Sequence, residues 1–250
     1  MHYYLLDLRL LLLYLVVMKL TTSYIPEPNE IESELRHLYK QFRISKIKKG
    51  ETIYLAESEP DIAYAVKSGY VRSYVLNDNV EERSVSFILK NELFPIGWLF
   101  SKSDTALLNY VAHTDCELYV IEPKKFHAAL NDKPSLATKI LTHLVSDSVT
   151  KMLEIQALEQ SSAAAKLIAT FDYFCICYGT ELLKDTIRID IPLTQKDIAS
   201  FTGLARETVT SEIIKLKKNG VVTVKKKYYT LNMTKLKALH GNAATENIVL

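Results

Sequence analysis

Leu193-Thr194-Gln195-Lys196-Asp197-Ile198-Ala199-Ser200-Phe201-Thr202-Gly203-Leu204-Ala205-Arg206-Glu207-Thr208-Val209-Thr210-Ser211-Glu212-Ile213-Ile214-Lys215-Leu216 is laid out as helix, tight turn, helix. Thr194 is a good N-cap, and Asp197 stands three residues on, where a carboxylate can answer the unpaired amides of a first turn. Gly203 supplies a backbone free to turn with positive φ. Ile198 and Ala199 form the inward face of the first helix, and Val209, Ile213 and Leu216 that of the second. Polar residues are left on the outer face of the second helix.

Charge and strand patterns around this stretch continue the same theme. Between Leu183 and Leu239 twelve basic residues stand against five acidic ones, so this stretch carries about +7 while the whole chain sums to only +2. Beyond Gly220, Val221–Val224 and Tyr228–Leu231 read as two strands around Lys225-Lys226-Lys227, a basic hairpin suited to backbone phosphates. A second helix of this kind reads base edges with its N-terminal residues. Arg206 can bond guanine O6 and N7 together, Glu207 can accept from a cytosine amino group, and Thr210 and Ser211 lie one turn further along. Thr194, Gln195, Lys196, Thr208 and Lys215, with Lys225, Lys226 and Lys227, are the candidates for phosphate contact.

Upstream, Thr52–Leu55, Ala63–Val66, Tyr70–Val75, Arg83–Ile88 and Glu117–Ile121 are β-branched or aromatic runs. Lys49-Gly50-Glu51, Lys67-Ser68-Gly69 and Asn77-Asp78-Asn79 separate them as turns. Many short strands at regular spacing predict a closed sandwich or barrel. After Pro134 the spacing becomes helical, through Leu136, Ile140, Leu144, Val145, Val149, Met152 and Ile155, with no Gly or Pro before Gly179. A long helix is expected, with Leu144, Met152 and Ile155 available to pair with a second copy as a parallel coiled coil. Ile187–Ile191 alternates as a strand.

The remaining features exclude more than they suggest. Cys116, Cys175 and Cys177 form no C-x-x-C pair, so no zinc or iron–sulfur site is expected and the thiols read as small buried hydrophobes of a reducing cytoplasm. The apolar run Leu10–Met18, with Leu5 and Leu6 before it, is interrupted by Asp7 and Arg9 and falls short of the roughly 20 residues that span a bilayer. It reads as an extension packing on the body, or as sequence before a start at Met18, rather than as a membrane anchor. No nucleophile, base and metal arrangement marks an enzyme.

The motif from Leu193 to Val209 resembles the winged helix-turn-helix of the Crp/Fnr family of bacterial transcription regulators. Lys49-Gly50-Glu51-Thr52-Ile53, Tyr64–Val71 and Thr114–Ile121 are similar to that family's cyclic-nucleotide-binding-type barrel. The resemblance implies an α+β chain. Its parts are a double-stranded β-helix (jelly-roll-like) sensor barrel at 27–130, a long dimerisation helix and hinge at 131–180 and a winged helix-turn-helix DNA-binding domain at 181–240. An apolar extension at 1–26 and a tail at 241–250 flank them. It further implies a cytoplasmic homodimer on a palindromic double-stranded DNA operator, with RNA polymerase as a partner and no membrane association.

The sequence also departs from the family. Aligned through Glu92–Trp98 and Cys116-Glu117, the family's ribose-binding Glu falls on Ile96 and its phosphate-binding Arg on Ala106, with no Arg between Arg83 and Arg188. An anionic ligand would lack its cation, so cyclic AMP bound in the usual way is not expected. Phe94, Ile96, Trp98, Ala106 and Tyr110 mark a degenerate effector pocket whose ligand is unspecified. No cofactor is expected; His113, His127 and His143 read as isolated core or surface residues rather than haem ligands. Ser211 stands where relatives often carry a second Arg, so one base position should be read weakly. The competing expectation is a sensor or interaction module that has lost specific DNA binding and associates with a partner or a membrane.

Overall fold

The computed structural model describes residues 35–246, with side chains as far as Leu239. The apolar stretch before Met18 and the last four residues lie outside the described residues. Two four-stranded antiparallel sheets face each other at the N-terminal end. One has the order β1 (Ile44–Ile47), β8 (Cys116–Ile121), β3 (Ala63–Ser68), β6 (Leu93–Phe94); the other runs β2 (Thr52–Tyr54), β7 (Asn109–Ala112), β4 (Val71–Leu76), β5 (Glu82–Ile88). This is the expected jelly-roll-like barrel. The five strands singled out above are present, whereas β1, β6 and β7 had no distinctive signal.

Alternation along the strands explains the barrel core. Val66, Val71, Ile88, Phe94, Tyr110 and Leu118 point between the sheets, as period-two side chains of a half-buried strand must. The Phe94 ring stacks with Tyr64 at 5.7 Å and with Tyr110 at 5.1 Å. A second core closes one end, where Leu35, Leu38 and Tyr39 meet Leu99, Phe126, Leu136 and Ile140. Those residues come from the helical turn at 35–39, from α1 (Ile96–Leu99) and α2 (Pro123–Asp132), and from the long helix α3 (Pro134–Leu158).

The helix expected to run on to Gly179 is divided. α3 ends at Leu158, and α4 (Ala163–Tyr178) starts afresh with Ser162 as N-cap, its hydroxyl accepting from the Ala165 amide at 3.1 Å. A serine cap ends one helix and begins another without the glycine or proline that would announce it. The two helices are tied by polar groups: buried Glu154 of α3 accepts from the Tyr173 hydroxyl of α4 at 3.1 Å and pairs with Lys151, whose ammonium also donates to the Val85 carbonyl of β5 at 2.8 Å.

α4 belongs to the C-terminal core. Leu167, Phe171 and Phe174 of α4 join Ile189, Ile191, Leu193, Ile198, Phe201, Val209, Ile213 and Leu231 in one cluster. Around it lie β9 (Gly179–Leu183), β10 (Thr186–Ile189), α5 (Gln195–Thr202), α6 (Arg206–Lys218), β11 (Val222–Lys225), β12 (Tyr228–Asn232) and α7 (Met233–Glu246). The four strands make an antiparallel sheet in the order β11, β12, β10, β9.

Gly69, in the turn between β3 and β4, has φ +86°, and a Cβ there would meet the Asp115 carbonyl oxygen at 2.3 Å. Gly50 has nearly the same φ, +85°, but open space around it. Both alanine variants incur left-handed strain of about 1–2 kcal/mol; only Gly69→Ala adds a backbone collision. Urea unfolding should show Gly69→Ala destabilised by at least about 2 kcal/mol more than Gly50→Ala; equal losses would contradict the close approach.

Candidate nucleic-acid interface and barrel cavity

The helix-turn-helix forms for local reasons. At the start of α5 the Thr194 hydroxyl accepts from the Asp197 amide at 3.2 Å, while the Asp197 carboxylate accepts from the Thr194 amide at 2.7 Å. This reciprocal cap satisfies two unpaired donors. α5 ends at Gly203 with φ +70°, and α6 begins three residues later. Ile198, Ala199, Val209, Ile213 and Leu216 are buried as expected.

Arg206, Glu207 and Ser211 are exposed on one face of α6. Thr210, half-buried, donates to Gln195 Oε1 at 2.8 Å and so joins the two helices at that face. Together with Ile214 these residues line an open hollow of about 480 Å³. Ile214 was not among the expected contacts, yet it is 59% exposed; its signal in the sequence was an apolar residue outside the inward stripe of α6. Lys196 is exposed, and Lys225, Lys226 and Lys227 stand exposed at the β11–β12 turn. Two expected phosphate contacts are less available. The Thr194 hydroxyl also donates to Asp197 at 2.6 Å, and Lys215 is paired with Glu212 at 2.6 Å. Thr208 is half-buried.

A cavity of about 550 Å³ lies between β5 and α3, reaching Phe94, Ile96 and Tyr110 on the barrel side and His143, Leu144 and Asp147 on the helix side. Burial pushes the Tyr110 phenol up to about 12 and the Glu92 carboxyl up to about 7. Of the five expected pocket residues, Phe94, Ile96 and Tyr110 line the cavity. Ala106 is buried in the barrel core beside them. Trp98 is a correction: two residues on from Ile96 along α1, it points away and packs on the end core with Leu99 and Phe126. Leu144 is another, since it faces its own barrel rather than outward. The exposed apolar residues of α3 are Leu141, Val145, Met152 and Ile155, between 56% and 67% exposed.

Residues 44–133 match the cyclic nucleotide-binding domain and residues 166–239 match the Crp-like helix-turn-helix domain. The chain belongs to the Crp/Fnr family of transcription regulators. It is 24% identical over 190 residues to the global nitrogen regulator of Synechococcus elongatus, covering 76% of this chain and 85% of that one. It is also 24% identical over 208 residues to the fumarate and nitrate reduction regulatory protein of Shigella dysenteriae, covering 82% and 81%. In fold it is similar to a mutant of CooA from Carboxydothermus hydrogenoformans (TM-score 0.65, 20% identity, 82% and 90% covered). FixK2 from Bradyrhizobium japonicum is another neighbour (TM-score 0.65, 18% identity, 79% and 96% covered). Among the described residues no helix is long and apolar enough to cross a membrane.

In this Crp/Fnr chain the DNA-binding element is docked on the barrel. Ser200 of α5 donates to the Glu82 carbonyl of β5 at 2.7 Å and accepts from the Ser84 amide at 3.1 Å. The Tyr70 hydroxyl donates to the Asp190 carbonyl at 3.0 Å. His113 Nε2 lies 2.8 Å from the Pro192 carbonyl; since a carbonyl only accepts, that nitrogen carries the proton. Burial holds the His113 pKa below the ordinary histidine value, against the Pro192 bond and Asp197, which raise it, and with Lys49 and Arg72, which lower it.

Below about pH 6.5 the unfolded chain protonates this histidine while the folded chain resists, so stability falls on acidification by up to about 1.4 kcal/mol per unit. Glu92, raised, acts in the opposite direction, so the comparison must be between proteins that both keep it. His113→Gln preserves a donor and removes the titration. Between pH 7.5 and 5.5 the variant should lose measurably less stability than the parent; an identical loss would contradict the assignment.

Proposed function

We propose that this chain is a homodimeric, sequence-specific transcription regulator that reads a palindromic operator with α6 and touches flanking phosphates with the β11–β12 hairpin. The observation that carries the reading is the set of exposed Arg206, Glu207 and Ser211 with half-buried Thr210 around one open hollow at the start of α6, which the Thr194–Asp197 cap and the Gly203 turn position. Phosphate contacts position such a helix and base contacts specify. Exposed Ile214 adds an apolar group able to meet a thymine methyl.

The second copy is supported by α3. Leu141, Val145, Ser148, Met152 and Ile155 are all exposed and follow one another at intervals of four, three, four and three, the heptad spacing of a coiled-coil seam. The junction between this helix and the DNA-binding unit would then lie at 159–162, a reading supported by the break between α3 and α4. RNA polymerase is the partner through which such a regulator would act, a reading supported by the family alone.

The effector is not cyclic AMP held in the family's usual way. Ile96 offers the cavity an apolar group where the ribose acceptor would stand, and Ala106 is enclosed in the barrel core with 1% of its surface exposed. A phosphate buried there would lack the cation that the family's Arg supplies at that position.

Selection of bound sites from random duplex DNA tests the reading. It should enrich one symmetric site whose half-sites are a helical turn apart. Arg206→Ala should then lower affinity for that site by about 1–3 kcal/mol and relax one base position in each half. Met152→Glu should yield monomers by sedimentation and lose the preference for two half-sites. Enrichment of no site, or of one indifferent to Arg206, would overturn the proposal.

A further inference from the structure

The seam between the barrel and α3 carries a polar cluster that the DNA-binding reading does not use. His143 and Asp147 are one turn apart on α3, so both side chains lie on the same face. His143 Nε2 is 3.8 Å from Asp147 Oδ2. Glu92, in the turn between β5 and β6, comes across from the barrel. One ligand atom from each of the three lies within 4.8 Å of the others, and all three line the 550 Å³ cavity.

The surroundings leave part of this cluster open to a ligand. Glu92 Oε2 accepts from the Leu89 amide at 2.7 Å, which fixes the carboxylate and leaves its other oxygen for a ligand. The Lys151 ammonium, in the same cavity lining, is engaged by Glu154 and by the Val85 carbonyl. Two carboxylates therefore share a half-buried site with an imidazole; burial raises the pKa of both acids, against the Lys151 ammonium, which lowers it. Asn91 lines the same cavity. It is nine-tenths buried, and its amide nitrogen has no acceptor among the described residues.

We propose that Glu92, His143 and Asp147 bind one divalent first-row transition-metal ion at the barrel–α3 seam. An imidazole with two carboxylates suits zinc, iron, cobalt or manganese better than calcium, which takes six to eight oxygens. Three protein ligands leave a position open to water or a small anion. Ligand atoms around such an ion stand about 3.3 Å apart for bonds near 2.0–2.1 Å, so binding draws Glu92 and α3 together. The ion would thus tie the turn that follows β5 to the helix with the exposed heptad stripe.

The test uses the full chain without an affinity tag, stripped by chelator and titrated with cobalt(II) by visible absorption and with zinc(II) by calorimetry. One ion per chain should bind, with cobalt d–d bands and a rise in Tm at saturating zinc. His143→Gln, Asp147→Asn and Glu92→Gln should each weaken binding at least about 100-fold, beyond the 10–100-fold typical of lost outer-shell partners. His37→Gln, on the exposed face of the 35–39 helical turn, should leave it unchanged. Since His143 and Asp147 are part-exposed, their metal-free variants should keep the parent's circular dichroism and Tm. Absence of a saturable cobalt spectrum, or binding undiminished in the His143→Gln/Asp147→Asn double variant, would overturn the proposal.

Discussion

Phe87 is on barrel strand β5, yet its ring lies in the core of the other half of the molecule. It meets Phe174 at 6.4 Å and Tyr178 at 5.9 Å, both edge-on, and His113 of the barrel at 5.1 Å. Phe174 in turn contacts Phe201 of α5 at 4.8 Å. One chain of aromatic rings therefore runs from the barrel through α4 to the first helix of the helix-turn-helix. Such pairs contribute about 0.5–1.5 kcal/mol each beyond their buried area. The rim of the contact is polar and directional, through Ser84 with Ser200, Tyr70 with the Asp190 carbonyl, and His113 with the Pro192 carbonyl. Apolar burial supplies the adhesion, and these bonds fix the orientation.

That constraint gives the α3–β5 seam its meaning. Lys151 bridges β5 and α3, Glu154 bridges α3 and α4, and the cavity beside them is walled by the same strand that carries Phe87. A ligand or ion in the cavity would touch β5 and α3 directly, and β5 is in contact with α5. The structure thus contains contiguous contacts from the cavity through β5 to the first helix of the helix-turn-helix. Physical coupling along it requires that a ligand favour one arrangement of the two halves over another.

The elements legible in the sequence were those built from local chemistry. The Thr194–Asp197 cap, the Gly203 turn and the inward stripe of α6 each depend on residues a few positions apart, and each has its expected geometry. Strands with strong alternation, β3, β4 and β8, were equally readable. β6 and β7 are short and sit beside polar or cramped loops, so their pairing is set by distant partners. The α3–α4 break depended on a serine whose capping role appears only once α4 is packed. Leu144 and Trp98 were given the wrong neighbours because spacing tells which residues share a face but not what that face meets. His143 read as an isolated histidine for the same reason: Glu92 is brought to it by the return of α3 along the barrel.

The claim on which all of this rests is that barrel and DNA-binding unit share a core through Phe87. The chain contains a single tryptophan, Trp98, at the far end of the barrel, so its fluorescence reports the barrel while circular dichroism at 222 nm is dominated by the helices. Urea unfolding of the full chain followed by both signals should give coincident transitions in the parent protein, and Phe87→Ala should separate them. Two separate transitions in the parent, or coincidence that survives Phe87→Ala at unchanged midpoint, would contradict the account.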